Sequence, residues 1–432
     1  MKKRKTPGLA VLLWLLAAGA VAQVEIAAPA EALHDADLKV RITGLAPGAT
    51  VDLRSEFVTQ GGSIWRSVAT FAADEQGLVD MATAAPRSGS WHTADPQAFI
   101  WSMEKTQEIP STTSVLENDD RSIITLTVLQ QTKKLAEKRI VLLKRAPGVS
   151  TTEIRGPIVG TFYQPYGKRS LPAVIVLGGS EGGINREAAA LLASHGFAAL
   201  ALAYFGIDPL PERLDRIPVE TVDRAVDWLR AQPSVDGAKI AVFGGSKGAE
   251  LALVAASRNP AIRAVVAYAP SSVVFQSITN GKGGVTSSWT AGGKELPFAP
   301  YAASEAFSSS HRLVDLYEPT LAAAPAAAAI PIEKIDGPIL LLAGKEDALW
   351  PSATMAEHIV ARAKEQGFRH PVINQTVEGA GHHVARIPNR PTIDSVRLGG
   401  TAQGLAQAQR NSWRAIVDFL DRSLRDPRKQ RP

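Results

Sequence analysis

The sequence contains no cysteine among its 432 residues. This absence excludes disulfide bonds, thiolate metal sites and a cysteine nucleophile, so any covalent catalysis must use another group. The eight histidines do not combine with nearby carboxylates into a spacing typical of a metal site, and we expect neither a metal nor a cofactor. No internal repeat is visible either.

Long apolar runs are also missing, since no stretch is long enough to be a clear membrane span. The N-terminus combines a basic segment (Lys2–Lys5), an apolar segment (Leu9–Ala18) and small residues (Ala20–Ala22). That order predicts a signal peptide over residues 1–22, with an uncleaved anchor as the alternative. We therefore expect a periplasmic or secreted protein whose mature chain has no integral membrane span.

The formal charge of +5 comes from the two ends of the chain. Residues 1–22 contain four basic groups and no acid, and residues 426–432 form a basic tail. The body between them is near neutral or slightly acidic. The positive charge is therefore a property of the two ends, and no nucleic-acid partner is expected.

Hydrophobic patterning divides the rest of the chain into two predicted domains. Over residues 24–146, short alternating segments such as Leu38–Ile42 and Ile64–Phe71 predict an all-β sandwich. Over residues 150–425, strands and helices alternate, which predicts a mostly parallel sheet covered by helices. Residues from about 275 to 330 break this alternation, and we interpret them as a lid insertion, with a partly mobile surface segment as the alternative.

The segment Gly244–Gly248, with the sequence Gly-Gly-Ser-Lys-Gly, lies between a predicted strand and a predicted helix. This context predicts the sharp turn of an α/β-hydrolase nucleophile, here Ser246, because a bulky residue at either outer glycine would clash. The backbone N–H of Lys247, at the helix N-terminus, is a candidate oxyanion donor. A phosphate-binding loop or an ordinary strand–helix turn are the alternatives.

Candidate partners for Ser246 follow in the order expected of an α/β-hydrolase. Asp347 comes after the predicted strand Ile339–Ala343, and His382 comes after Val372–Val377. Both residues should lie at the carboxyl edge of the sheet, close to Ser246. His383 could replace His382 as the base, and Glu346 could replace Asp347 as the residue that orients it.

A second oxyanion donor is expected in the glycine-rich loop Gly178–Gly183, after the predicted strand Ala173–Leu177. The backbone N–H of Gly179 or Ser180 is the best candidate, because glycines let the backbone approach a substrate oxygen. A phosphate cradle is the alternative, but the loop lacks the Lys-Ser/Thr ending of a P-loop.

Several segments together resemble the acyl-CoA thioesterase / bile acid-CoA:amino acid N-acyltransferase family. They span almost the whole predicted exported chain: Ala84–Trp91, Asp95–Met103, Gly244–Leu253, Lys294–Phe298, Gly344–Asp347 and Gly379–His382. The resemblance implies acyl transfer by Ser246, His382 and Asp347, and a serine in place of cysteine favours water as acceptor. This chain departs from the family pattern at Ala249 and Trp91, and in its predicted signal peptide.

The predicted function is therefore that of a serine hydrolase that cleaves acyl thioesters through an acyl-serine intermediate. An exported carboxylesterase or acyltransferase acting on a substrate without coenzyme A is the alternative, because coenzyme A is a cytosolic cofactor. A non-catalytic binding protein built on a hydrolase scaffold is an alternative of another class.

Overall fold

The computed structural model describes residues 23–58, 63–107, 120–279 and 284–425. The predicted signal peptide and the basic tail both lie outside the described residues. Among the helices within these ranges, none is both long enough and apolar enough to cross a membrane.

The N-terminal part consists of short strands and one short helix. In chain order these are β1 (Glu25–Ala27), β2 (Glu31–Leu33), β3 (Arg41–Thr43), β4 (Thr50–Val58), β5 (Ile64–Ala72), β6 (Val79–Asp80), β7 (Ser88–Gly89), α1 (Ala98–Trp101), β8 (Glu104–Gln107), β9 (Arg121–Gln130) and β10 (Lys133–Leu143). One sheet has the order β1-β3-β6, and the other has the order β2-β10-β9-β4-β5-β7 with β8 also paired to β5.

Alternating side chains from the two sheets enclose one apolar core. In β4, for example, Val51, Leu53 and Phe57 are buried in this core, while the charged residues between them are more exposed. Ile42 contributes from the smaller sheet. The predicted β-sandwich is confirmed, although the predicted strand Leu38–Ile42 is shorter and begins at Arg41.

The C-terminal part alternates strands with helices. In chain order it contains β11 (Val149–Arg155), β12 (Val159–Pro165), β13 (Leu171–Leu177), α2 (Arg186–Ser194), β14 (Ala198–Ala203), β15 (Ile217–Pro218), α3 (Glu220–Arg230), β16 (Val235–Gly245), α4 (Lys247–Ala256), β17 (Ile262–Tyr268), β18 (Trp289–Ala291), β19 (Lys294–Glu295), α5 (Glu305–Ser310), α6 (Val314–Ala322), β20 (Ile339–Gly344), α7 (Ser352–Glu365), β21 (Val372–Val377) and α8 (Ala402–Leu424), with short 3-10 helices at Ala326–Ala328 and Ile332–Lys334.

Eight of these strands form one sheet in the order β11-β12-β14-β13-β16-β17-β20-β21. Pairings are antiparallel between β11, β12 and β14 and parallel in the rest of the sheet. The mostly parallel sheet of an α/β-hydrolase fold is therefore confirmed.

Helices cover both faces of this sheet, which explains why all seven residues of β13 are buried. Ile175 faces the core built with α3, α4 and α7, whereas Val174 and Val176 face the core built with α2 and α8. The helix predicted from Ser412 is longer than expected, because α8 begins at Ala402.

Candidate active site

Ser246 lies on the turn between β16 and α4, with φ 55° and ψ −124°. A positive φ is strained for a residue with a side chain and is typical of functional sites. The flanking glycines make the turn possible. A Cβ at Gly244 would lie 2.2 Å from the carbonyl oxygen of Gly248, and one at Gly248 would lie 2.1 Å from that of Gly178. The expected clash of a larger residue at these two positions is confirmed.

His382 and Asp347 lie side by side beyond the carboxyl ends of β21 and β20. The Nδ1 atom of His382 lies 2.9 Å from Oδ2 and 3.1 Å from Oδ1 of Asp347. Since a carboxylate can only accept, Nδ1 carries the proton, and Nε2 is left without one in the neutral ring. Both side chains are almost fully buried.

The Asp347 carboxylate is fixed from several directions. Its Oδ2 accepts a hydrogen bond of 2.6 Å from the Ser352 hydroxyl, and its Oδ1 accepts from the backbone N–H groups of Leu349 and Trp350. The Trp350 ring packs edge-on against the His382 ring, with a centroid distance of 5.9 Å. These contacts hold the imidazole in one orientation.

The two alternative residues, Glu346 and His383, have surroundings different from those of Asp347 and His382. Glu346 is exposed, and its side chain makes no hydrogen bond to His382 among the described residues. His383 lines the same cavity as His382, but burial and the Arg386 guanidinium lower the pKa of His383 to about 3. His383 is therefore neutral at pH 7, and the Asp347 carboxylate accepts from the ring of His382 instead.

Ser246 and His382 line one cavity of about 480 Å³. The loop of Gly179 and Ser180 forms one wall, and apolar side chains such as Leu349 and Ile387 form others. The structure thus brings Ser246, His382 and both predicted loop residues to one space, with Asp347 behind the histidine. Among the described residues there is no group of three His, Asp or Glu side chains that could hold a metal ion.

Glu181 is a cavity residue that the sequence did not single out. Its Oε1 accepts a hydrogen bond of 2.9 Å from the Gly179 N–H, the same group predicted to bind an oxyanion. A Cβ at Gly179 would lie 2.7 Å from Glu181 Oε2 and 3.5 Å from Ser246 Cβ, so this carboxylate lies close to the serine. The glycines of this loop indicate only that its backbone is free to approach a ligand. No local sequence pattern indicates that the Glu181 side chain folds back onto the Gly179 N–H.

One buried and one partly buried tyrosine support the serine turn and the glycine-rich loop. The Tyr204 hydroxyl donates to the carbonyl oxygens of Gly178 (2.7 Å) and Gly179 (3.1 Å), and the Tyr268 ring covers Gly245. Burial, reinforced by the Glu181 charge, raises the pKa of Tyr268 to about 12 and that of Tyr204 well above its usual value. Both hydroxyls therefore remain protonated and uncharged at pH 7.

The segment interpreted as a lid lies against the serine-bearing helix. Trp289 of β18 pairs with Ile217 of β15, and its indole Nε1 donates to Glu250 of α4. In the described part of residues 275–330, none lines the cavity of Ser246. The role of this segment as a lid over the site stays a prediction.

The mostly parallel sheet, with Ser246 on its strand–helix turn, places the chain in the class of α/β-hydrolase-fold proteins. Comparison with known families identifies it further. Residues 35–156 match the family described as the acyl-CoA thioester hydrolase/BAAT N-terminal region, and residues 217–426 match the BAAT / acyl-CoA thioester hydrolase C-terminal region. The chain belongs to this family, as the resemblance of its segments predicted.

Curated relatives align with the chain over most of their length. It is 28% identical to the peroxisomal succinyl-coenzyme A thioesterase of Mus musculus, over 90% of this chain and 94% of the relative. It is 29% identical to acyl-coenzyme A thioesterase 6 of the same species, with the same coverage. Among solved structures it is similar to a Pyrobaculum calidifontis esterase, with 18% identity, a TM-score of 0.40, and coverage of 63% of this chain and 84% of the esterase.

Proposed function

We propose that this protein hydrolyses acyl-coenzyme A thioesters, with Ser246 as nucleophile, His382 as general base and acid, and Asp347 as the residue that orients the histidine. The observation that carries this proposal is the buried hydrogen bond between His382 and Asp347, next to the cavity that holds Ser246. Family membership supports the substrate class, since the similar mouse proteins are named acyl-coenzyme A thioesterases.

In the first half-reaction, Ser246 Oγ attacks the thioester carbonyl carbon and its proton passes to His382 Nε2. Asp347 accepts a hydrogen bond from Nδ1–H and stabilises the imidazolium that forms. The tetrahedral intermediate then breaks its C–S bond, and the Nε2 proton moves to the leaving sulfur. The products are the free thiol and an acyl-serine.

In the second half-reaction, water adds to the acyl-serine while His382 takes the water's proton. The C–O bond to Ser246 then breaks, the proton returns to Oγ, and the free carboxylic acid leaves. The backbone N–H groups of Lys247 and of Gly179 or Ser180 are the proposed oxyanion donors, and losing one such donor costs about 2.7–4 kcal/mol in the barrier. The Gly179 N–H must exchange Glu181 for the substrate oxygen.

The test is turnover of acyl-CoAs of graded chain length by the protein and its Ser246→Ala variant. We expect release of free thiol by the wild type alone, and an acyl adduct on Ser246 detectable by intact-mass measurement after rapid quenching. Equal turnover by the two proteins would overturn the proposal. Adding amine acceptors tests acyl transfer, because a transferase would form amides where a hydrolase forms only free acid.

The N-terminal pattern of residues 1–22 favours a second candidate, which is an exported hydrolase of oxygen esters or of thioesters without coenzyme A. The catalytic steps would be the same, with an alcohol or another thiol as leaving group. Cell fractionation of the full-length protein tests export. Turnover of oxygen esters matched in acyl chain to the acyl-CoAs then separates the two candidates by their kcat/KM values.

A further inference from the structure

A buried ion pair lies directly behind the proposed nucleophile. Lys247, the residue after Ser246, places its Nζ 2.7 Å from Oε1 and 2.8 Å from Oε2 of Glu250. The side chains are only 2% and 0% exposed. Neither charge faces the cavity, and the proposed reaction uses neither.

Burying two charges is unfavourable unless other groups solvate them, and an apolar pair of similar volume is often as stable. Burial lowers the pKa of Lys247 and raises that of Glu250, while each partner's charge opposes the shift of the other. Stability alone is therefore a weak reason for this pair. The groups that surround the ion pair suggest another reason for its presence.

Glu250 collects donors from three parts of the chain. Besides Lys247, its Oε1 accepts from the indole Nε1 of Trp289 at 2.7 Å and from the backbone N–H of Phe275 at 3.1 Å. The Lys247 ammonium also lies over the Trp289 ring, 5.3 Å from its centroid. One carboxylate thus fixes the first turn of α4 to the segment that follows β17 and to β18.

The same contacts continue to the glycine-rich loop. The Trp289 ring packs against the Tyr204 ring, with a centroid distance of 5.8 Å, and the Tyr204 hydroxyl holds the carbonyls of Gly178 and Gly179. The two proposed oxyanion donors, the N–H groups of Lys247 and Gly179, are therefore attached to one buried cluster. We define this positioning cluster as Lys247, Glu250, Trp289 and Tyr204.

We propose that Glu250 is a positioning residue, which sets the distance between the two oxyanion donors by holding Lys247 and Trp289. This inference rests on the proposed function and deepens it. A displacement of about 1 Å in a reacting group can lower a rate about 100-fold. Disturbing the cluster should therefore lower kcat about 10- to 100-fold and leave KM nearly unchanged.

The test compares Glu250→Gln, Trp289→Phe and Tyr204→Phe with the wild type on one acyl-CoA. We expect each variant to lose kcat and to bind a trifluoromethyl ketone, which forms a tetrahedral oxyanion adduct, more weakly by a similar factor. The control is Glu137→Gln, which breaks an exposed ion pair with Lys134 at the same three-residue spacing and should change neither quantity.

A double variant, Lys247→Met with Glu250→Met, separates positioning from stability. It removes both buried charges together but leaves the indole N–H of Trp289 and the backbone N–H of Phe275 without their acceptor, so we expect a folded protein of reduced stability in urea while kcat stays low. A folded double variant, or a folded Tyr204→Phe protein, with wild-type kcat and inhibitor affinity would overturn the inference. Failure of the proposed function is distinct, because Ser246→Ala would then retain activity.

Discussion

At the residue scale, the strained backbone of Ser246 is possible because the glycines around it in the turn have no side chains. Its φ of 55° is rare for a residue with a side chain. Gly245, just before it, has no room for a side chain, since a Cβ there would lie 1.8 Å from the Tyr268 ring. Because sheet, helix and loop all converge on this turn, the surrounding structure supports the strain, which is the condition under which such strain persists in proteins.

The aspartate beside His382 gives the sharpest residue-scale prediction. In Asp347→Asn an amide replaces one acceptor oxygen, which favours the wrong tautomer of His382 and leaves Ser352 or the ring with a poor partner. If Asp347 has the proposed role, we expect kcat to fall by a factor on the order of 10⁴, as for the corresponding change in Ser-His-Asp enzymes. Steady-state kinetics with an acyl-CoA, together with urea unfolding, measures the effect.

The control for this variant is Glu346→Gln, which neutralises the exposed carboxylate next in sequence and should leave kcat unchanged. If Asp347→Asn stays within tenfold of the wild type, or if Glu346→Gln loses as much activity, Asp347 does not orient the base.

Motif order predicted Ser246, Asp347 and His382 from the sequence, because each follows a recognisable strand. Glu181 and Glu250 escaped prediction for a physical reason. Glu181 acts by folding back onto an N–H two residues earlier, and Glu250 meets Trp289 across 39 positions of sequence. Neither contact produces a periodic pattern in the amino-acid sequence.

At the scale of elements, strands buried on both faces were the easiest to predict, since β13 and β20 are continuous apolar runs. Helix α8 was harder. The sequence pattern does not predict its first ten residues as helix, because they include Gly404, which weakens a helical pattern. The structure explains this glycine, because a Cβ there would lie 2.2 Å from the carbonyl oxygen of Gly379.

The close contact between α4 and the glycine-rich loop leads to the element-scale prediction. In Gly248→Ala, the added methyl would meet the carbonyl oxygen of Gly178 at 2.1 Å, so helix and loop must separate. We expect a loss of about 1–3 kcal/mol in the free energy of unfolding. We also expect a marked loss of kcat, because the loop carries a proposed oxyanion donor.

Urea unfolding and kcat measure the two effects of Gly248→Ala. Gly156→Ala is the matched control, since a Cβ at Gly156 meets nothing within 4 Å. Equal stability and activity for the two variants would show that the contact between α4 and the loop does not constrain the site.

At the scale of the whole molecule, the β-sandwich contacts the chain that follows His382. The buried His34 ring donates from Nδ1 to the carbonyl oxygen of Pro388 and accepts at Nε2 from Ser122. The Asn389 side chain donates to the backbone carbonyl oxygens of His34 and Ala36. The contacts made by Pro388 and Asn389 join positions more than 350 residues apart, which no local pattern predicts. The sandwich thereby helps to fix the segment that carries the proposed base.

This interface makes stability depend on pH. Burial, reinforced by the Arg390 charge, lowers the pKa of His34 from 6.5 to about 3. Between these values the unfolded chain binds a proton that the folded protein does not, so stability falls as pH falls below about 6.5. At pH 5 the loss from one such group is about 2 kcal/mol, since one pKa unit is worth about 1.4 kcal/mol.

Urea unfolding of the wild type and of His34→Gln at pH 7 and pH 5 measures this contribution. Glutamine can still donate and accept but takes up no proton, so we expect the variant to lose about 2 kcal/mol less between the two pH values. His383 also lowers the stability as the pH falls, and His195, whose pKa Asp35 raises, changes the stability in the opposite direction. Both contributions are present in the wild type and in His34→Gln, so they cancel in the comparison. The exposed His358→Gln variant should behave as the wild type does. Identical pH dependence in wild type and His34→Gln would show that protonation of His34 does not weaken the contact between the sandwich and the segment after His382.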